Sequence, residues 1–255
     1  MQGGLRASFF RVMLFLTFST VAADVFFFRR AGETLLGGVL VGQAVLLAAC
    51  AFFGYRNLPL VRAPEAGEPY AKFVLPNVLT LIRILAIPGV VGGILLASTD
   101  PVARVGVAIL FGVATLSDLV DGWIGRKFDR TSLFGQVLDP LGDAMFYTSV
   151  TIAFWVVGVL PPWLGAIVIA RFVPSMIAGV FLFVRHGPSH IAPTRMAKNS
   201  SFVVGLATAT VLARLVIGPP VPALAVTVVG GLAALLSVAS LVEYGSIAIR
   251  RLSGR

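Results

Sequence analysis

Long apolar runs separated by short polar stretches dominate the chain, and that rhythm predicts most of its elements. The runs occupy residues 12–28, 35–55, 78–96, 102–119, 144–160, 163–184, 200–216 and 221–242. A helix needs ~20 apolar residues to cross a bilayer, so each run is read as a spanning helix. Helices are the natural choice because each satisfies its own backbone hydrogen bonds in lipid. The expected fold is therefore an all-α integral membrane protein: a six-helix transmembrane core preceded by a two-helix transmembrane hairpin. The first run carries Asp24 inside it. It lacks a small-residue cleavage site followed by a soluble domain, so it is read as a span and not as a removed signal peptide.

Three regions follow from this pattern. Residues 1–55 form the accessory hairpin, 56–76 a proline-punctuated linker, and 77–255 the six-helix domain. The end of the linker mixes Tyr70, Lys72, Phe73 and Leu75, which suits a short segment lying at the membrane interface. Small residues within the runs, such as Gly92, Gly93, Gly230 and Gly231, suit close helix packing.

Composition agrees with the pattern. The chain is 58% hydrophobic and only 12% charged, and its mean hydropathy is +0.96. An ordinary soluble domain, with about 25% charge, is excluded. Arg and Lys then set the orientation. Arg56, Arg62 and Lys72 fall on the same side as Arg126, Lys127 and Arg130, as Arg185, Arg195 and Lys198, and as the C-terminal arginines. The alternate connections around 158–163 and 218–220 carry no charge. The basic side is expected to be cytoplasmic, in the cell (inner) membrane; Arg29 and Arg30 in the first external connection run against the rule. The net charge of +9 is spread over loops beside membrane helices, so it fits membrane lipids and phosphorylated substrates better than nucleic acid. Cys50 is the one cysteine, which leaves no disulfide framework and no metal–thiolate site.

Against this apolar background one acidic cluster stands out. Only 11 of the 255 residues are Asp or Glu, and Asp118, Asp121, Asp139 and Asp143 fall in the string D-x2-D-G-x2-G-R-x8-G-x3-D-x3-D. Carboxylates at a membrane boundary are costly unless a cation holds them, so the cluster reads as a functional site. Asp118 and Asp121 share a helix face by their spacing of three, and Asp139 and Asp143 by their spacing of four. A hairpin between them turns the two faces together. So many carboxylates repel one another, and hard divalent cations relieve the repulsion; an all-oxygen set selects Mg²⁺ or Mn²⁺ over zinc. Two such ions are a common apparatus for phosphoryl displacement. Gly122 lets a ligand approach the backbone, Arg126 suits bidentate contact with a pyrophosphate, and Gly135 permits a tight turn or flat contact with a base.

The string resembles the signature of the CDP-alcohol phosphotransferase family of membrane enzymes. It departs from the family pattern only at Gly125, where that pattern has Ala. The resemblance covers the six-helix core and implies that an alcohol attacks the β-phosphate of a CDP-linked lipid, CDP-diacylglycerol, and releases CMP. It implies that Asp118, Asp121, Asp139 and Asp143 bind two Mg²⁺ or Mn²⁺ ions, with Asp143 also the base for the acceptor hydroxyl. Gly122, Arg126, Ser132 and Gly135 fall where the family contacts the CDP-lipid. Asn77 and Thr80, in Pro76-Asn77-Val78-Leu79-Thr80-Leu81-Ile82-Arg83, match the start of the first core helix and would help bind the cytidine diphosphate. A homodimer is implied by the resemblance alone.

The strings around Asn77 and Asp139 are most similar to the phosphatidylglycerophosphate synthase and cardiolipin synthase branch. That similarity implies glycerol 3-phosphate as the acceptor, with phosphatidylglycerol or another polyol as the alternative. Ala144 and Ser200 stand where that branch usually has Lys. Lys198, Arg195, Arg83 and Arg171 are the candidate cations for an acceptor phosphate; Arg83 and Arg171 lie inside spans, where an idle charge is expensive. Arg171 pairing with a buried carboxylate is the structural alternative. Arg214 and Glu243 read as interfacial or paired residues, and His186 and His190 as loop histidines. Two readings of other classes are a divalent-cation transporter and a catalytically degenerate membrane scaffold. A permeation path would place acidic residues at depth in several helices, whereas these collect at one edge beside Arg126.

Overall fold

The computed structural model describes residues 2–30, 32–63, 67, 69–128, 132–186, 195–218 and 222–252, without the side chains of 2, 119, 121–128, 182, 186, 195–198, 223 and 244–252. The described chain is helical nearly throughout. Its elements are α1 (Gln2–Phe28), α2 (Glu33–Arg56), α3 (Leu75–Leu85), α4 (Ile87–Leu96), α5 (Pro101–Phe128), α6 (Leu133–Val156), α7 (Pro162–His186), α8 (Arg195–Ile217) and α9 (Ala223–Leu252), with a short 3₁₀ turn at Leu58–Leu60. Among the described residues there is no strand, only a single bridge between Arg62 and Pro69.

Among the described residues, seven segments are long and apolar enough to cross a membrane: α1, α2, α3 with α4, α5 up to Asp118, α7, α8 and α9. The chain is a multi-pass membrane protein. The expected span 144–160 begins within α6, and that helix is the exception to the apolar rule. Asp139, Pro140 and Asp143 in its first half, and Thr148, Ser149 and Thr151 beyond them, dilute its hydrophobicity.

One expectation changes in detail. The expected single span 78–96 is two helices, α3 and α4, meeting at Ala86. Pro88 lies in the first turn of α4 and has no amide hydrogen for the carbonyl four residues back, so the chain breaks just ahead of it. At the end of the linker, exposed Lys72 and Leu75 flank the buried Phe73. Phe73 is buried at 6% exposure, with its ring 5.3 Å from Phe9 and 5.7 Å from Phe134. Its amide donates to Ser8 Oγ at 3.2 Å.

The helices pack as one body. α3 lies against α5 and α6, α4 against α5 and α6, α6 against α7, and α8 against α9. The N-terminal hairpin packs on this bundle through α2 with α4 and α1 with α5. Leu5, Phe9, Met13 and Leu16 of α1 belong to the same buried cluster as the core residues of α3 to α9. Glycines make the closest crossings. A methyl group on Gly93 would lie 2.6 Å from Val107 Cβ, and one on Gly92 2.6 Å from Val39 Cγ2. α4 is thereby held close to α5 on one side and α2 on the other, as small-residue packing in membranes requires. Phe18, Val184 and Leu224 are among the large apolar side chains left on the outside, the surface expected to face lipid.

Candidate active site

The site forms where α3, α5 and α6 meet, and each helix brings its polar residues there by register. On α3, Asn77, Thr80 and Arg83 recur every third residue and are all buried. They form one polar stripe, facing α5 and α6. Asp118 lies on α5, and α6 carries Asp139 and Asp143.

Arg83 is the centre of the arrangement. Its side chain is 2% exposed, while those of Asp118 and Asp143 remain 37% and 28% exposed. The guanidinium therefore lies at the floor and the carboxylates line the open side. One nitrogen, Nη1, contacts both acids: it donates to Asp118 Oδ1 and forms an ion pair with Asp143 Oδ1 at 2.7 Å. Two oxygens that touch one nitrogen lie no more than the sum of the two contact distances apart, so Asp118 and Asp143, 25 positions apart in sequence, come together at Arg83. Beside them the Thr80 hydroxyl donates to Asp139 Oδ1 at 2.5 Å and to the Pro76 carbonyl at 3.2 Å. Asp139 and Asp143 lie ahead of the apolar half of α6. Burial pushes both carboxyls above their ordinary range; the Thr80 bond and Arg83 oppose this at Asp139, and chiefly Arg83 at Asp143.

A second polar group adjoins the first. Ser132 caps the N-terminus of α6 by accepting the Gly135 amide at 3.0 Å, the usual role of a serine at that position. Its hydroxyl donates to Asn77 Oδ1 at 2.9 Å. Asn77 is 1% exposed and its amide nitrogen has no hydrogen-bond partner. Such a buried donor is costly without a ligand. Gly135 fits tightly here: a methyl group on it would lie 2.8 Å from Asn77 Oδ1 and 3.7 Å from Asp139 Oδ2. The linker closes the far side, where the Leu133 amide donates to the Arg62 carbonyl at 3.2 Å.

Arg171 on α7 is buried at 7% exposure. It donates to Ser200 and, at 3.0 Å, to Ser201, and its charge also acts on Asp143. These two contacts are with hydroxyls of α8. Asp121, Gly122, Arg126, Arg195 and Lys198 lie on described helices, but their side chains lie outside the described residues. Two contributors had no role in the sequence reading. Gly142, between the last two aspartates, lets α3 approach: a methyl group there would lie 3.1 Å from Thr80 Cγ2. Tyr147 stacks on Phe172 at 5.4 Å, steadying α6 against α7 next to Arg171.

A divalent metal is implied by the donor set, and the residues suit one. Two carboxylate oxygens already converge on a single positive charge, and the donors are hard oxygens. Among the described residues, however, no three Asp, Glu, His or Cys side chains close around one point: Asp139 is turned to Thr80.

Fold and site together define a multi-pass helical membrane protein with an acidic, arginine-neutralised cluster at a helix crossing. A family model described as CDP-alcohol phosphatidyltransferase matches residues 73–242, and the chain belongs to that family. The chain is 36% identical over 110 residues to a CDP-diacylglycerol–glycerol-3-phosphate 3-phosphatidyltransferase of Bacillus subtilis, covering 39% of this chain and 56% of the relative. A protein of the same description from Rickettsia bellii is 40% identical over 78 residues, covering 31% of this chain and 42% of the relative. A cardiolipin synthase (CMP-forming) / mitochondrial hydrolase fusion protein of Schizosaccharomyces pombe is 37% identical over 117 residues, covering 46% of this chain and 19% of the relative. The matched stretch thus spans less than two thirds of each of these relatives. No solved structure matches the chain.

Proposed function

We propose that the protein transfers a phosphatidyl group from CDP-diacylglycerol to glycerol 3-phosphate and releases CMP, with the site open to the cytoplasm. The observation that carries this reading is the convergence of Asp118 and Asp143 on one Arg83 nitrogen, beside the Asn77–Ser132–Gly135 group. An acidic cluster suits the divalent metal that a pyrophosphate needs for neutralisation, and the neighbouring buried amide donor suits a nucleotide base.

Asp118, Asp121, Asp139 and Asp143 are the residues that would hold Mg²⁺ or Mn²⁺. When bound, the metal neutralises the pyrophosphate and the charge that builds on entering and leaving oxygens. Asn77, Thr80, Gly122, Arg126, Ser132 and Gly135 hold the CDP portion, and the buried amide of Asn77 gains the partner it lacks. The acceptor hydroxyl oxygen bonds to the β-phosphorus, and the bond from that phosphorus to the CMP oxygen breaks. The hydroxyl proton passes to an Asp143 carboxylate oxygen, a role worth ~10²–10⁴ in rate. Arg171, with Arg195 and Lys198 on the same helix as Ser200, faces the acceptor phosphate.

The reading is tested with purified protein, CDP-diacylglycerol, Mg²⁺ and a panel of glycerol 3-phosphate, phosphatidylglycerol, glycerol and inositol, following CMP release. Glycerol 3-phosphate should be the preferred acceptor. Preference for phosphatidylglycerol would assign the cardiolipin synthase reaction, and no CMP with any acceptor would refute the transferase reading.

A further inference from the structure

Arg83 holds a position that an ordinary phosphate-binding residue would not. It is buried beneath the carboxylates, and it spends one nitrogen on two of them at once. The acceptor role proposed for it from its position inside a span does not account for this contact. A guanidinium on the facing oxygens of Asp118 and Asp143 and a divalent ion bridging those oxygens are mutually exclusive. Both are cations competing for one anionic space, and the first repels the second at close range.

Charge balance gives the competition a direction. Asp139 lies one helical turn from Asp143 and adds its charge to the cluster. Asp118 and Asp143 together bring two carboxylates to the one Arg83 nitrogen that touches both, and the remaining negative charge favours a cation of higher valence. The side chains of Asp118 and Asp143 are 37% and 28% exposed against 2% for Arg83, so an incoming ion reaches these acids before the arginine, although Asp143 Oδ1 itself is buried. We infer that Arg83 is a built-in counter-ion that occupies the shared oxygens of Asp118 and Asp143 and must be displaced for a divalent metal to load, making it a positioning residue that sets the metal affinity of the site. This inference rests on the metal-dependent reading proposed above.

The two cations leave different signatures. With Arg83 in place, the acids are held together without metal, and the metal must displace an ion pair. With Arg83 removed, the acids repel in the absence of metal and gain more from its arrival. The full-length protein is purified in detergent with Mg²⁺, stripped with a chelator and titrated with Mn²⁺, following free Mn²⁺ by electron paramagnetic resonance. Thermal melting is recorded with and without the ion. Arg83→Gln should bind Mn²⁺ about fivefold more tightly or better, the lower end of ordinary coupling between ligands. Its metal-free form should melt below wild type and recover more on adding Mn²⁺. Arg83→Lys, which keeps the charge and loses the planar fork, should fall between. If Arg83→Gln unfolds on chelation, Arg83→Lys alone decides by whether its Mn²⁺ affinity exceeds that of wild type. Equal or weaker Mn²⁺ binding by both variants would overturn the inference. If wild type bound no Mn²⁺, or Asp118→Ala bound it as wild type does, the metal-dependent reading itself would fail.

Discussion

Replacing Gly135 by alanine tests how tightly the second polar group is built. In an unconstrained helix the change stabilises, by about 1 kcal/mol, because glycine is a poor helix former. At this position the added methyl would lie 2.8 Å from Asn77 Oδ1 and 3.4 Å from Ser132 Oγ. The first of these is closer than carbon and oxygen tolerate, and Asn77 is buried at 1% exposure with little room to retreat. Overpacking of this kind costs about 1–3 kcal/mol. Displacing the Ser132 hydroxyl from its cap would add about 1 kcal/mol. The clash outweighs the helix gain, so Gly135→Ala should be destabilising by about 1–3 kcal/mol net. If the displaced Asn77 amide serves the nucleotide, the KM for CDP-diacylglycerol should also rise about tenfold, the equivalent of ~1.4 kcal/mol. The assay is CMP release against CDP-diacylglycerol concentration, alongside thermal melting in detergent. Asn77→Ala removes the oxygen that the methyl strikes, so the double variant should lose less than the sum of the single changes. A Gly135→Ala protein with wild-type melting and KM, or strictly additive losses in the double variant, would refute the reasoning.

Three further outcomes are expected. Ser132→Ala removes both the α6 cap and the hydroxyl on Asn77; it should cost about 0.5–2 kcal/mol of stability in a melting assay. Gly93→Val adds bulk where only 2.6 Å separates a methyl carbon from Val107 Cβ, so it should lower the melting temperature markedly through an overpacked α4–α5 crossing, whereas Gly112→Val, at a site open around its Cα, should not. Lys198→Ala should raise the KM for glycerol 3-phosphate several-fold with kcat little changed, the mark of lost uniform binding; an unchanged KM would point to an uncharged acceptor.

How much of this was legible in sequence differs from residue to residue. The apolar runs and the basic connections gave the helical membrane architecture because lipid leaves few alternatives to helices. The spacings of three and four predict common faces for the aspartates; α5 and α6 bring Asp118 and Asp143 to one arginine nitrogen, while Asp139 turns to Thr80. The break at Ala86 was written in Pro88, yet an unbroken hydropathy stretch hid it. The packing of Phe73 carried no local signal, because its partners, Phe9 and Phe134, lie more than 60 residues away on each side. Arg83 illustrates the same limit for charge. Its burial in a span implied a partner, but nothing local distinguishes a substrate phosphate from carboxylates 35 and 60 positions further along the chain. The Asn77–Ser132 bond spans 55 residues and was likewise visible only as two separate polar residues. Long-range pairing is set by how α3 seats against α5 and α6, and small residues such as Gly142 that permit this seating carry no chemical signal of their own.

The central claim is that these aspartates activate an alcohol for transfer of a phosphatidyl group, and the most direct measurement compares wild type, Asp118→Ala and Asp143→Asn for CMP formation from CDP-diacylglycerol and glycerol 3-phosphate with Mg²⁺, together with binding of the CDP-lipid. Asp118→Ala should lose both activity and CDP-lipid binding, since the pyrophosphate would meet uncompensated carboxylates. Asp143→Asn keeps the shape and one oxygen but removes the base; it should retain CDP-lipid binding while kcat falls by ~10²–10⁴. Near wild-type turnover by Asp143→Asn would contradict the assignment of the base, and CMP formation by Asp118→Ala at the wild-type rate would contradict the account of the site as a whole.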